Sequence, residues 1–535
     1  MGKSQKVVLL GIDAGSRDLL RQWAHDGTLP TFQALFAKSL IGETESTPGL
    51  FIGSTWPTWY TGVNPGKHGV HALQQLKPGT YELYSAFAGE NVKREPFWNH
   101  LSRAGRRVAV LDVPLTSVSH NLNGIQLVEY GAHDAHSGFR TWPHTLASEI
   151  EKSFGPPCSH PIKGDCDAKR DAAGVAAFRD ALIEGIARKT ALTKHFLHEQ
   201  KWDFFAQVFT ESHCIGHQFW NLHDRGHQWH DADIARIVGD PIKDIYKAID
   251  TAIGQILTEI DDETTVILLA SHGMGQRNVP YGLLEKLLLQ LKVAVPPKLS
   301  ANKITGVFIR QKLLGFLHHV WQKIPPKIQK GLGPMVYPLS RTLNSSPCPL
   351  VDRAAGKCFS IHDTPSHAGL RVNLVGREPE GKVRPGLDYE QFCHELEKDL
   401  LGIVNLGTGK PIVQRIIRTA EYYSGDYLGH LPDLLVEWNQ ESPIPAIYSE
   451  KFGTISTNFW HPRTGHHRLG GMFLAFGPSI QSGVVNRTVS LMDFAPTIAQ
   501  LLNVTLPDVD GRPIDELLVF FQPPPIANPS PNHSG

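Results

Sequence analysis

Short apolar runs that alternate with longer amphipathic stretches constrain the fold of this chain more than any other feature of its sequence. Strand-like runs occupy residues 7–12, 106–113, 203–210 and 264–271, and two more follow at 431–438 and 471–478. Helical patterns cover residues 17–37, with a break at Pro30, and residues 241–260 and 493–502. Buried strands interleaved with helices are typical of a mainly parallel sheet that is covered by helices on both faces. We therefore expect an α/β fold built on a central sheet of this kind.

Changes in composition divide the chain into several parts. Its 535 residues exceed the usual size of one domain, which is about 100–200 residues. Residues 291–350 are rich in proline and lysine and contain a helical pattern at 306–323, which favours an inserted helical cap or lid. We assign residues 1–290 to the first part of the α/β core and residues 351–521 to its second part. The proline-rich residues 522–535 are expected to form a disordered tail.

Charge and composition argue against several classes of protein. The 52 basic and 52 acidic residues give no net charge, which argues against binding a nucleic-acid polymer through a broad basic surface. No apolar run approaches the ~18 residues of a membrane span, and the N-terminal apolar run is typical of a first strand rather than a signal peptide. Six scattered cysteines do not predict a disulfide scaffold, so a reducing, cytoplasmic setting is expected. The 27 histidines are a reason to look for a metal site.

Potential metal ligands follow three of the predicted strands. Asp13 follows the first strand, His213 and His217 follow the run at 203–210, and Ser271 and His272 stand at the end of the run at 264–271. Ligands of open α/β sheets gather at the carboxyl ends of strands. We therefore expect these side chains to meet at one edge of the sheet.

The spacing of His213 and His217 predicts a metal-binding pair if the segment is helical. Residues four apart lie on one helix face, with Cβ atoms about 5–6 Å apart. Two such histidines and one remote ligand form a common Zn²⁺ arrangement. The alternative is a pair of solvated or core histidines without a metal.

A hydroxyl group in the segment 54–70 is the candidate nucleophile. Thr55 precedes Trp56 and Pro57, and Thr is a favoured N-cap while Pro is tolerated in the first helical turn. A hydroxyl at a helix N-terminus lies beside free backbone N–H groups that can bind a developing oxyanion. An ordinary helix cap is the alternative interpretation.

Further histidines occur late in the chain. His466 and His467 precede the strand-like run at 471–478 and could reach the site from a loop. His362, Asp363 and His367 are additional candidates, with positions in a surface loop as the alternative.

Taken in order, these segments resemble the type I phosphodiesterase/nucleotide pyrophosphatase family of the alkaline phosphatase superfamily. The resemblance covers about residues 6–518 and rests on the ordered motifs IDAGSRDLL, TWP with YTGVNPGKHGV, FTESHCIGHQFW, LLASHGMG, LRVNLVGREPEGKV, LPDLLVEW, GHHRLGGMFLAFGPSI and DFAPTIAQLLNVTLPDVDG. It implies an alkaline-phosphatase-like α/β core, two metal ions that are usually zinc, and a Thr or Ser that forms a covalent phospho-enzyme intermediate. Under the resemblance, Thr55 is the nucleophile with Ser54 in reserve, and Asp13, Thr55, Ser271 and His272 stand at the nucleophile-side metal. His213, His217 and His467 stand at the other metal.

Three features depart from the family pattern. The family usually has Asp at the positions of His213 and Ser271, and the segment between Thr55 and the Thr61-Gly62 turn is about one helical turn shorter than usual. Two zinc ions would bring four positive charges, against two negative charges from Asp13 and a deprotonated nucleophile. Uncompensated charge in a partly dry site is costly. We therefore expect the three-histidine site to fill first, unless Glu211 or Asp363 supplies a further carboxylate.

The sequence thus predicts a metal-dependent hydrolase of a small anionic phosphoester, most specifically of phosphodiesters or nucleotide pyrophosphates. One or two zinc ions are the expected cofactor, with manganese as a second choice. The alternatives are a phosphomonoester, sulfate-ester or phosphonate hydrolase of the same superfamily, and a degraded member that binds a ligand without turning it over. No nucleic-acid partner and no membrane span are expected.

Overall fold

The computed structural model describes residues 6–86, 89–131, 138–157, 168–297, 351–457 and 461–518. The predicted cap lies outside these residues except for 291–297, and so does the predicted tail at 522–535. Within the described ranges, no helix is long and apolar enough to span a membrane.

Twenty strands are described: β1 Lys6–Ile12, β2 Leu40–Glu45, β3 Gln74–Leu76, β4 Leu83–Ser85, β5 Val108–Leu111, β6 Gly124–Val128, β7 Arg140–Trp142, β8 Phe204–Phe209, β9 Thr264–Ala270, β10 Gly273–Gln276, β11 Cys358–Asp363, β12 His367–Val372, β13 Val404–Asn405, β14 Val413–Arg418, β15 Leu434–Trp438, β16 Ala446–Ser449, β17 Gly453–Ser456, β18 Gly465–Arg468, β19 Gly471–Phe476 and β20 Gly483–Ser490. The described α-helices are α1 Arg17–His25, α2 Pro30–Lys38, α3 Phe51–Thr61, α4 Pro65–His68, α5 Phe97–Arg103, α6 Leu146–Phe154, α7 Ala172–Glu199, α8 Glu211–His223, α9 Ala232–Val238, α10 Pro241–Leu257, α11 Leu283–Gln290, α12 Leu387–Leu401, α13 Thr419–Tyr422 and α14 Phe494–Leu501.

A nine-stranded sheet forms the centre of the fold, with strand order β20-β2-β19-β9-β1-β8-β5-β6-β7. Strands β9, β1, β8, β5 and β6 run parallel to one another, whereas β19 and β7 are antiparallel to their neighbours. The predicted α/β class and mainly parallel sheet are confirmed. The predicted break of the first helix at Pro30 is also observed, because α2 begins there after α1 has ended.

Alternate side chains of β1 enter two separate cores. Val8 and Leu10 pack in a cluster with residues of α1, α2, α7, α8 and α10, whereas Val7 and Leu9 pack in a cluster with residues of α3, α5 and α14. Because successive side chains of a strand point to opposite faces, a strand with apolar residues at every position must be covered on both faces. The uninterrupted apolar run of β1 is therefore the local cause of the three-layer arrangement.

A second, four-stranded sheet contains the strand-like run at 431–438. The predicted strand is confirmed as β15, which lies in a separate antiparallel sheet of order β11-β12-β15-β14. This sheet has its own apolar core with α11 and α12. A hydrogen bond of 3.1 Å between Ser366 Oγ and His466 Nδ1 connects the residue before β12 to the strand that carries His467.

Candidate metal centre

Three neighbouring strands end at the same level of the central sheet. Ile12, the last residue of β1, lies opposite Phe209 of β8 and Ala270 of β9. These strands are followed by Asp13, by the first turn of α8 and by Ser271. The three therefore lie at one edge of the central sheet, as expected for ligands at the carboxyl ends of strands.

Helix α8 presents two histidines to this edge. His213 and His217 are four residues apart, and their ring centroids lie 4.5 Å apart. Both side chains are buried at the beginning of α8. The predicted placement on one helix face is confirmed.

A two-stranded antiparallel sheet, formed by β10 and β18, brings His467 to the same point. β10 pairs with β18 so that His467 lies opposite Met274. β18 also lies close against α8, because a Cβ atom on Gly465 would be 2.1 Å from the carbonyl oxygen of Gly216. His217 Nδ1 lies 2.9 Å from the carbonyl oxygen of Gly465, which fixes the imidazole relative to β18.

The three imidazoles form a histidine triad with the geometry of a metal site. His467 Nε2 lies 3.1 Å from His217 Nε2 and 3.3 Å from His213 Nε2. Two nitrogens bound to one tetrahedral zinc at about 2.0–2.1 Å are separated by about 3.3–3.4 Å. The triad is also the one group of three or more His, Cys, Asp or Glu residues, among those described, whose ligand atoms all lie within 4.8 Å. The residues therefore fit a divalent metal ion.

The protons on these rings support the same interpretation. A neutral imidazole carries one proton, so the N–H that His217 Nδ1 donates to Gly465 leaves a lone pair on its Nε2. Burial lowers the pKa of His467 well below its ordinary value, so this ring is neutral as well. A cation between the Nε2 atoms would satisfy lone pairs that otherwise face each other.

His272 contacts the triad from outside. Its Nε2 lies 2.7 Å from His467 Nδ1, and its Nδ1 lies 3.0 Å from Ser271 Oγ and 4.0 Å from Asp13 Oδ1. A short line of polar atoms thus runs from Asp13 through His272 to His467.

Asp13 has protein partners at the end of β1. Its Oδ1 accepts a hydrogen bond of 2.9 Å from Trp56 Nε1, and its main-chain oxygen accepts one of 2.6 Å from Ser212 Oγ. The carboxylate is buried at this position. The indole partner was not predicted from the sequence, because nothing in the local pattern distinguishes Trp56 from an ordinary core tryptophan.

Thr55 lies one residue before that tryptophan. It was expected as an N-cap, but α3 begins at Phe51 and is kinked at Ile52 and Gly53, where the backbone is not helical. Thr55 therefore lies in the first turn after the kink rather than at the cap. Its buried Oγ1 lies 2.7 Å from Ser46 Oγ. The reserve candidate, Ser54, donates its hydroxyl proton to the carbonyl oxygen of Leu50.

The two acids considered as additional ligands have other roles. Glu211 Oε1 forms a buried ion pair with Lys189 Nζ at 3.0 Å. Asp363 Oδ2 accepts a hydrogen bond of 3.1 Å from the backbone N–H of Glu285, and burial raises the pKa of Asp363 to about 7. Neither carboxylate belongs to the histidine triad.

A separate histidine group lies in the second sheet. The rings of His362 and His367 are 5.0 Å apart, and the buried ring of His71 lies 6.4 Å from His362. Burial lowers the pKa of His362 to about 4. His362 and His367 were candidates from the sequence, whereas His71, which follows the helix-ending glycine of α4, was not.

Fold and site together define the class of protein. The chain superposes on wild-type alkaline phosphatase PafA with a TM-score of 0.51 at 13% identity, over 96% of this chain and 99% of that one. The chain thus has an alkaline-phosphatase-like α/β fold. The family model of type I phosphodiesterase/nucleotide pyrophosphatase matches residues 7–297, and the chain belongs to this family of phosphoester hydrolases.

Other solved structures are similar at low identity. Murine ectonucleotide pyrophosphatase/phosphodiesterase 5 gives a TM-score of 0.48 at 12% identity, over 95% of this chain and 97% of that chain. Phosphonoacetate hydrolase from Sinorhizobium meliloti 1021, in complex with phosphonoformate, gives a TM-score of 0.49 at 10% identity, over 94% of this chain and 96% of that chain. No curated protein sequence matches the chain.

Proposed function

We propose that this chain is a metal-dependent hydrolase of phosphodiesters or nucleotide pyrophosphates. Family membership supports phosphoester hydrolysis, and the observation that carries the metal dependence is the approach of His467 Nε2 to both helix histidines at 3.1 and 3.3 Å. His213, His217 and His467 would hold the metal, with zinc as the first candidate and manganese as the second. A bound dication supplies Lewis-acid stabilisation of the charge that develops on phosphoryl oxygens.

The charge around the triad supports an anionic substrate. The three ligands of the triad are imidazoles rather than carboxylates, so they do not cancel the charge of a metal ion. A phosphate ester would be attracted to the charge of the metal ion that these ligands leave uncancelled.

Thr55 is the nucleophile in this proposal. Its position in the first turn after the α3 kink places the hydroxyl near the positive end of a helix dipole, which favours an oxyanion. Ser46 Oγ, 2.7 Å away, can accept or donate the hydrogen bond that orients this hydroxyl. Ser54 is less suitable because its proton is donated to a backbone carbonyl.

Hydrolysis of three aryl esters tests the proposal. Bis-p-nitrophenyl phosphate, p-nitrophenyl phosphate and p-nitrophenyl sulfate are compared with added zinc, with manganese and with EDTA. We expect the diester to be the best substrate, with turnover lost in EDTA. Turnover should fall by at least about a hundredfold in Thr55→Ala and remain in Ser54→Ala. A faster reaction of the monoester or sulfate would assign a different substrate class, and tight metal binding without any turnover would identify a binding protein.

A further inference from the structure

The hydrogen bond between His272 and His467 limits how many metal ions the site can hold. His272 Nε2 and His467 Nδ1 are 2.7 Å apart, so one proton is shared between two ring nitrogens. Each neutral imidazole carries a single proton and can bind a metal only through its other, unprotonated nitrogen. The position of the shared proton therefore decides which ring can be a ligand.

Two arrangements of the proton are possible. If His467 Nδ1 carries it, His467 Nε2 is free for the triad, and His272 must carry its own proton on Nδ1. If His272 Nε2 carries it, His272 Nδ1 is unprotonated, but His467 Nε2 is then protonated and lost to the triad. With neutral rings, the two histidines cannot be metal ligands at the same time.

The contacts favour the first arrangement. His467 Nε2 lies within 3.3 Å of two other imidazole nitrogens, whereas His272 Nδ1 has Ser271 Oγ at 3.0 Å and Asp13 Oδ1 at 4.0 Å. A proton on His272 Nδ1 can be donated to the Ser271 hydroxyl and is attracted by the nearby carboxylate. Trp56 Nε1 donates to that same carboxylate oxygen, which further reduces its capacity as a ligand.

We infer that this chain binds one dication, in the histidine triad, and that Asp13, Ser271 and His272 form a hydrogen-bonded support for His467 instead of a second metal site. His272 is thus a positioning residue, because it fixes the tautomer and orientation of His467 by accepting its Nδ1 proton. Outer hydrogen-bond partners of this kind commonly change metal affinity by about 10–100-fold. The inference concerns the metal content of the site and does not depend on the identity of the substrate.

Metal stoichiometry of the full-length protein tests the inference. The protein is stripped of metal and dialysed against excess Zn²⁺, and bound zinc is then counted by mass spectrometry. We expect one ion per chain in the wild type and in Asp13→Asn, and none in the triad variant His217→Ala. Two ions in the wild type, with one lost in Asp13→Asn, would overturn the inference.

Affinity measurements separate positioning from direct ligation by His272. His272→Gln retains a side-chain oxygen that can accept the proton of His467 Nδ1, whereas His272→Leu has no acceptor. We expect one zinc ion per chain in both variants, with affinity about 10–100-fold weaker in His272→Leu and largely restored in His272→Gln. Unchanged zinc affinity in a folded His272→Leu protein, judged by circular dichroism, would contradict the positioning role. Because neither assay measures turnover, an inactive protein could still confirm the inference.

Discussion

The close approach of Gly465 to helix α8 gives the sharpest test of the triad geometry. A Cβ atom at Gly465 would lie 2.1 Å from the carbonyl oxygen of Gly216, whereas ordinary contact begins at 3.4 Å. In Gly465→Ala, β18 must therefore move away from α8 by roughly 1.3 Å, the difference between these two distances. The atoms in conflict belong to the backbone, so no side-chain rotation can relieve the overlap.

The displacement acts directly on the metal ligands. His213 and His217 lie on α8 and His467 lies on β18, so the 3.1 and 3.3 Å separations would increase towards about 4.4 and 4.6 Å, respectively. Nitrogens bound to one tetrahedral zinc are about 3.3–3.4 Å apart. We expect Gly465→Ala to weaken zinc binding by about 10–100-fold or more, as displaced ligand supports commonly do. Overpacking should also lower the free energy of unfolding by about 1–3 kcal/mol.

Zinc affinity is measured by competition with a chromophoric chelator, and stability by urea unfolding of the metal-free protein. Gly429→Ala is the matched control, because a Cβ atom at this glycine would have no atom within 4 Å. We expect nearly wild-type zinc affinity in this control. If a folded Gly465→Ala protein bound zinc within about threefold of wild type, the triad could not depend on the contact between β18 and α8.

Three further predictions concern stability. Lys189→Met should lower the free energy of unfolding, measured with urea, by about 3–5 kcal/mol, because it leaves the buried Glu211 without its cation. The control Lys194→Met, on the same helix, should change this free energy by less than about 1 kcal/mol, since the ion pair of Lys194 with Glu259 is partly exposed. Burial lowers the pKa of His68 to about 3, so the unfolded chain binds an additional proton between about pH 6.5 and pH 3 and stability falls as the pH is lowered. His68→Asn should therefore reduce the slope of the unfolding free energy against pH, in this window, by up to about 1.4 kcal/mol per pH unit. An unchanged slope would mean that His68 is not buried in its neutral form. EDTA should lower the melting temperature of zinc-loaded wild-type protein but not of His217→Ala, because a ligand that binds only the folded state stabilises it by mass action.

The elements predicted best from the sequence are those with strong local signals. β1, β8 and β9 are apolar at nearly every position, so their runs were recognised to within one or two residues. β2 and β20 were missed because they alternate polar and apolar residues near the edge of the sheet and lack such a run. The antiparallel direction of β19 could not be predicted either, since strand direction depends on the path of the intervening chain.

The same distinction applies to the site. His213 and His217 were identified from helical spacing, which is a local property, and Asp13 and His272 from their positions at strand ends. His466 and His467 were both candidates from their position before a strand-like run, and His467 was chosen only through the family resemblance, because its approach depends on the pairing of β10 with β18. The contact from Trp56 to Asp13 joins residues 43 positions apart and leaves no periodic pattern in the sequence.

The substitutions at the site are physically connected. Histidine at position 213 and serine at position 271 both remove a carboxylate from the pattern that the family resemblance implies, and either change alone would leave a two-metal site short of negative charge. The two substitutions together suit a site with one dication, because the nearby polar atoms have hydrogen-bond partners other than a metal. Ser271 Oγ lies beside His272 Nδ1, and His272 Nε2 lies beside His467 Nδ1. A carboxylate at position 271 would hold the proton of His272 more tightly, but it would also attract a second cation. Serine provides the hydrogen bond without that charge, which is consistent with a support for His467 rather than a ligand.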